Sequence, residues 1–238
     1  MSKIFLTSDT HFGHDREFIW KARGFNSVQE MNEAYIERWN SVVSDNDDVY
    51  VLGDLMLGDN NAGIECINRL KGRIHIVCGN HDTPTRRSLY IKQPNVWSYE
   101  WALMLPYKKY HFFMTHFPCL TGNLEKESLK QMTLNLYGHT HQKTNFYEDR
   151  PYMYHVGVDS HNGYPVLLDD IIQEMKDKVK ECIDFLDVES AAAGNPSIES
   201  VESRCYKCAF DMNTCGRSDY YGNCPAYHRD PPDGGFYG

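Results

Sequence analysis

The 238 residues contain no long hydrophobic run. At the amino terminus three apolar residues, Ile4-Phe5-Leu6, give way at once to Thr7-Ser8-Asp9, far short of a signal-peptide core or a membrane span of about 20 residues. This predicts a soluble, cytoplasmic chain with no membrane partner. Positive charge is scarce too: 24 Lys and Arg face 33 Asp and Glu, a formal charge of -9, which argues against a whole surface built to grip long nucleic acid and leaves room only for a local basic patch. There is no internal repeat. Cysteine is thin and scattered through most of the chain (Cys66, Cys78, Cys119, Cys182), whereas Cys205, Cys208, Cys215 and Cys224 crowd the last 34 residues. Without a secretory signal, that cluster points to metal more than to disulfides.

What is present suffices for a core: 41% of residues are hydrophobic and 13% aromatic, enough for one domain with a small appendage. Ile4–Thr7, Val49–Leu52 and Ile74–Cys78 read as strands, each running into turn or polar residues. Trp101–Leu105 and Tyr110–Thr115 flank Pro106-Tyr107-Lys108-Lys109 as a hairpin, and Leu134–Tyr137 and Met153–Val158 are shorter strand candidates. Ser27-Val28-Gln29-Glu30 has the form of a capping box before apolar residues at helical spacing, from Val28 to Val42. Further helices are expected over Asn61–Leu70 and from Asp169 to about Val188, the latter with Ile172, Met175, Val179, Ile183 and Leu186 on one stripe. These elements make residues 1–189 one domain of α/β (α+β sandwich) type, with sheets covered by helices. The small-residue, Gly- and Pro-containing stretch at 190–200 reads as a linker to a Cys-rich tail at 201–238.

Five times an apolar strand ends and a metal-capable side chain follows. The pattern gives Asp9-Thr10-His11, Gly53-Asp54, Gly79-Asn80-His81-Asp82, His116 and Gly138-His139-Thr140-His141. Strand ends on one edge of a layered sheet converge in space, so residues spread over 133 positions can form one site. Glycine before Asp54, Asn80 and His139 allows a sharp backbone turn, and alternate residues such as Asp9 and His11 can share one side of an extended segment. Each side chain alone is what turns, helix caps and structural histidines commonly use; five successive strand ends are not. Imidazole mixed with carboxylate suits Mn, Fe or Zn better than Mg or Ca.

In order and spacing these five motifs resemble the calcineurin-like metallophosphoesterases over residues 3–168, in particular their compact bacterial and phage members. The resemblance implies a two-sheet β-sandwich flanked by helices and a pair of divalent transition ions, manganese first. It implies that Asp9, His11 and His141 hold one ion, that Asn80, His116 and His139 hold the other, and that Asp54 bridges them. Two divalent cations and two carboxylates leave a formal +2 at such a centre, which attracts phosphate despite the acidic chain. A two-metal centre generates a hydroxide nucleophile from water, and the resemblance gives His81 the protonation of the leaving oxygen, with Asp82 orienting its imidazole. His14 is open between facing the phosphate and packing in its loop. Arg86 and Arg87 receive no site role, and His75, His111, His155 and His161 are expected to be structural.

Cys205-Tyr206-Lys207-Cys208 is a Cys-x2-Cys knuckle, and Cys215 and Cys224 complete a set for structural zinc, with His228 a substitute. The leading expectation is hydrolysis of a phosphodiester, ahead of a phosphomonoester, in a small molecule or nucleotide. One alternative is a nuclease on short or single-stranded nucleic acid, with Lys108, Lys109, Arg86 and Tyr107 lining a basic groove. The other is a non-catalytic protein-binding module, against which the intact ligand positions speak. Substrate choice is expected to lie in loops at Trp97–Tyr107 and Leu120–Leu129.

Overall fold

The computed structural model describes residues 2–123, 126 and 128–192, with side chains as far as 181. The cysteine tail, most of the expected linker, and Ile183 and Leu186 of the apolar stripe lie outside these limits.

The first strand, β1 (Ile4–Thr7), is followed by a single turn α1 (Glu17–Trp20) and by helix α2 (Val28–Val42). Ser27 caps α2 by accepting from the Glu30 amide at 3.1 Å; the Glu30 carboxylate reaches past Ser27 to the Asn26 amide, 2.9 Å. Then come β2 (Asp48–Leu52), α3 (Asn60–Ile67), β3 (Arg73–Val77), α4 (Pro84–Tyr90) and β4 (Val96–Glu100). The second half contains β5 (Leu103–Tyr107), β6 (Tyr110–Met114), β7 (Thr133–Tyr137), β8 (Met153–His155), β9 (Val166–Leu167) and α5 (Leu168–Ala192). Helix α5 therefore takes in the first residues expected to be linker.

Two sheets result, ordered β4-β3-β2-β1-β9 and β5-β6-β7-β8. Strands β1 to β4 run parallel and β9 closes that sheet antiparallel to β1. In the other sheet β5 pairs antiparallel with β6, while β6, β7 and β8 are parallel. The first sheet is apolar on both faces because both are covered. Phe5, Val49, Val51, Ile74 and Ile76 pack under Met31, Tyr35, Ile36 and Trp39 of α2. The alternate residues Leu6, Leu52 and Val77 face Phe112, Met114, Leu134 and Leu136 of the second sheet and Ile171 and Met175 of α5. Strand period two thus splits each apolar run between two cores.

Three local expectations are corrected. Trp97–Tyr107 is not a loop: β5 is the first strand of the expected hairpin, two residues further along than Trp101–Leu105, and β4 fills the start of the segment, hard to see because this edge strand buries little beyond Tyr99. The hairpin pairs through Pro106 and His111 to Tyr107 and Tyr110, so only Lys108 and Lys109 form the turn, Lys108 at φ 54°. Pro106 is tolerated inside β5 because an edge strand leaves one row of amides unpaired. Helix α4, not expected, starts on a Thr83 cap followed by Pro84 in the first helical position.

Candidate metal centre

Because β1, β2, β3, β6 and β7 are parallel within their sheets, their carboxyl ends bring all five motifs together. Backbone hydrogen bonds hold the segments beyond the strands in register: Asp9 N donates to Gly53 O, His11 N to Asp54 O, and Gly138 N to His116 O, at 3.1, 3.1 and 2.9 Å. The conformation there is not the extended one expected. Asp9, His11, Asp54, His139 and His141 all have positive φ, between 49° and 67°, so each side chain is aimed by a left-handed turn, a strained state for residues with a Cβ.

The glycines serve a different purpose from the one expected at two of three positions. Gly53 does turn, at φ 88°. Gly79 and Gly138 are needed for space: a Cβ on Gly79 would overlap the Asp54 carboxylate and sit 2.6 Å from the Asp54 amide, and one on Gly138 would sit 2.6 Å from Asp9 Oδ2.

Two ligand groupings emerge, Asp9 with His11 and His141, and Asp9 with Asp54 and His116; in each, the ligand atoms lie within 4.8 Å of one another. Asp9 belongs to both. Its Oδ2 accepts from Ser8 Oγ at 2.5 Å and from the His139 amide at 2.9 Å, while buried Oδ1 has no hydrogen-bond partner. His11 Nε2 and His141 Nε2 stand 3.2 Å apart on rings that are nearly parallel, 14° between planes. Stacked rings are poorly placed to hydrogen-bond in their planes. On the other side, His116 Nδ1 lies 2.8 Å from the Leu52 carbonyl, so the neutral ring carries its proton there. Its Nε2 faces Asn80 Oδ1 at 2.7 Å, with His139 Nδ1 2.9 Å from the same oxygen. An orphaned carboxylate oxygen beside converging imidazole nitrogens and an amide oxygen fits cations, and the nitrogen and oxygen donors fit the transition ions.

Burial dominates the electrostatics of the cluster. Burial pushes Asp9 up against the pull of His116 and His141, and burial together with Arg23 keeps His11 well below the usual imidazole range. Burial lowers His139 as well. A dication would reverse the effect on Asp9.

Arg23 and Asp159 were not anticipated from the sequence. Asp159 Oδ2 accepts from His141 Nδ1 at 2.8 Å, which points Nε2 inward. Arg23 forks onto the same carboxylate at 3.0 and 2.8 Å and donates to the Asp9 carbonyl at 2.7 Å. Burial opposes ionisation of Asp159, but hydrogen bonds from His141 and Arg23 outweigh it and hold the group far below the carboxylate range. Asp159 follows the expected Met153–Val158 strand, so the strand-end rule would have found it; Arg23, in the loop after α1, carries no local signal.

His81 is partly exposed; its amide donates to Asp54 Oδ1 at 2.9 Å and its ring lies 5.8 Å from that of His11. Asp82 does not orient that ring. Its Oδ2 accepts the Gly79 and Asp54 amides at 2.8 and 3.0 Å and its Oδ1 the Tyr90 hydroxyl at 2.8 Å, so it braces the two loops instead. His14 lies beside the cluster, 5.8 Å from His11 ring to ring. Arg86 is turned onto the His81 carbonyl and Asn60, and Arg87 onto Tyr99. His75 and His155 are tied to Asp48 and Ser160, and His161 to the His155 carbonyl. Lys108 pairs with Asp169 in the turn at the start of β6, the opposite end of that strand from His116, so among the described residues Lys108 does not join Arg86 beside the ligand cluster.

The domain model of the calcineurin-like phosphoesterase superfamily matches residues 2–162. An uncharacterized protein of Methanocaldococcus jannaschii, MJ1445, is 34% identical over 198 residues, covering 78% of this chain and 99% of its own. The gene 66 protein of Mycobacterium phage D29 is 26% identical over 210 residues, covering 76% and 99%. Among solved structures, AQ665 of Aquifex aeolicus, a protein of unknown function, superimposes with a TM-score of 0.56 at 20% identity over 73% of this chain and 99% of that one. This last likeness is one of fold.

Proposed function

This chain belongs to the calcineurin-like phosphoesterase superfamily, whose members use divalent metal ions, and we propose that its own reaction is the metal-dependent hydrolysis of a phosphodiester. The observation that carries the proposal is the convergence of seven donor residues, Asp9, His11, Asp54, Asn80, His116, His139 and His141, around a buried Asp9 oxygen that no hydrogen bond satisfies, with His116 and His139 both on the Asn80 oxygen. Asp9, His11 and His141 would hold one cation and Asn80, His116 and His139 a second, with Asp54 and Asp9 lying between the two groups. Divalent cations there supply Lewis-acid polarisation of the phosphoryl oxygens and acidify the attacking water.

The chain's own groups do the rest. Asp159 fixes the His141 tautomer, Leu52 O fixes that of His116, and Asp82 holds the Asp54 and Gly79 turns so that both loops are set before substrate arrives. His81 borders the cluster, its ring 5.8 Å from that of His11, and would give a proton to the departing ester oxygen. The test is turnover of bis-p-nitrophenyl phosphate against p-nitrophenyl phosphate by chelated protein resupplied with manganese, beside Asp54→Ala. Diester turnover lost in the variant is the expected result. A preference for the monoester refutes the diester reading, and no metal-dependent turnover of either refutes hydrolysis.

A further inference from the structure

Two exposed phenylalanines stand on opposite flanks of the ligand cluster. Phe117, immediately after His116, packs against His139 and His116 with ring centres 4.5 and 5.0 Å apart, and 47% of its surface stays open. Phe18 on α1 is 70% exposed and meets His14 edge-on at 5.9 Å. His14 lies 5.8 Å from His11, and His11 5.8 Å from His81. Phe117 therefore borders the Asn80, His116 and His139 side, and Phe18 the side of His11 and His81. Scattered exposed apolar residues are ordinary on a protein surface; these two differ in that each continues a run of ring contacts starting at a ligand. The Phe117 backbone is pinned, its carbonyl accepting from Thr115 Oγ1 at 2.8 Å and Cys119 Sγ at 3.3 Å. Two of the guanidinium groups of the region are engaged, Arg23 on Asp159 and Arg86 on the His81 carbonyl, while exposed Arg16 acts on His14 on the Phe18 flank. The Phe117 flank therefore offers a planar apolar group beside the ligand cluster.

Resting on the phosphodiester reading, we propose that the substrate is a nucleoside phosphodiester, the base of the retained nucleoside stacking on Phe117 and the departing arm leaving past His81, His14 and Phe18. Water attacks phosphorus, the bond to the departing oxygen breaks, and that oxygen takes its proton from His81 or leaves as a stable anion. An aromatic wall suits this class because every base has a π-face, and one such stack changes binding by about 5- to 150-fold.

The experiment compares kcat/KM for thymidine 5'-(p-nitrophenyl phosphate) and ethyl p-nitrophenyl phosphate, which share a leaving group and differ only in the retained arm. It uses the manganese-loaded full chain and the variants Phe117→Ala, Phe117→Trp and Phe18→Ala. The ethyl ester registers whatever a substitution does to the neighbouring ligands, so the ratio of the two esters is the readout. The wild type favours the thymidine ester; Phe117→Ala lowers the ratio at least about 5-fold, mainly through KM, and Phe117→Trp restores it. Phe18→Ala raises KM for both esters and leaves the ratio alone. Ethyl-ester turnover without a thymidine preference, or a ratio unmoved by Phe117→Ala, overturns the aromatic wall while leaving phosphodiester hydrolysis standing. A ratio that falls only in Phe18→Ala overturns the assignment of arms, and turnover of neither ester overturns the reaction itself.

Discussion

Asp159→Ala separates two consequences of one buried carboxylate. Arg23 and Asp159 expose only 5% and 7% of their side chains, so removing the carboxylate leaves a buried guanidinium with two backbone carbonyls and no directly paired carboxylate, only the more distant pull of Asp9. Breaking a buried pair from one side costs about 3–5 kcal/mol. At about 2–4 °C per kcal/mol for a chain of this size, the chelated variant melts about 6–20 °C below wild type. The second consequence is on the metal: His141 loses the acceptor that fixes its tautomer, and loss of such a partner weakens metal binding about 10- to 100-fold. Scanning calorimetry of chelated protein reads the first effect and manganese titration the second. Asp159→Asn keeps an oxygen for His141 without the charge, so it retains more of the metal affinity than Asp159→Ala while still destabilising the Arg23 site. A chelated Asp159→Ala protein that melts within about 2 °C of wild type, with unchanged manganese affinity, refutes the reasoning.

Gly138→Ala places a methyl group on Ser8 and 2.6 Å from Asp9 Oδ2; equilibrium dialysis is expected to show lost manganese, whereas Gly122→Ala, where a Cβ meets nothing within 4 Å, binds as wild type. His155 is fully buried and burial depresses its pKa from 6.5 to about 3. The folded protein keeps it neutral while the unfolded chain protonates it below pH 6.5, so its contribution is present above that pH and lost on acidification. Chelated wild type is therefore expected to lose about 2 kcal/mol more between pH 7 and pH 5 than His155→Gln, measured by urea unfolding at each pH. We propose that Cys205, Cys208, Cys215 and Cys224 bind one structural zinc; elemental analysis of the chain ending at residue 192 is expected to show one zinc fewer per molecule than the full chain, and equal zinc in both refutes it.

The candidate centre was legible because its donor residues sit where apolar strands stop. A short apolar run followed by Asp, Asn or His is a local pattern, and Leu6, Leu52, Val77, Met114 and Tyr137 end such runs ahead of the candidate ligands. The carboxyl-end rule then converts sequence order into proximity without knowledge of the sheets. The helices α2, α3 and α5 were legible for the same reason, through periodicity and caps. Strand β4 and helix α4 were not: the one buries little beyond Tyr99 and the other little beyond Tyr90, so neither has a period strong enough to read.

The sequence by itself therefore determined which atoms can bind a cation and which strands carry them, since donor chemistry and hydrophobic period are properties of residues and their immediate neighbours. Tertiary structure alone decided how those atoms are aimed. Positive φ at five candidate ligands, the placement of Arg23 on Asp159 across 136 positions, and the turning of Asp82 away from His81 onto two backbone amides all arise from segments distant in the chain. Orientation of this kind is set by the hydrogen bonds a side chain finds after folding, and no local spacing encodes it.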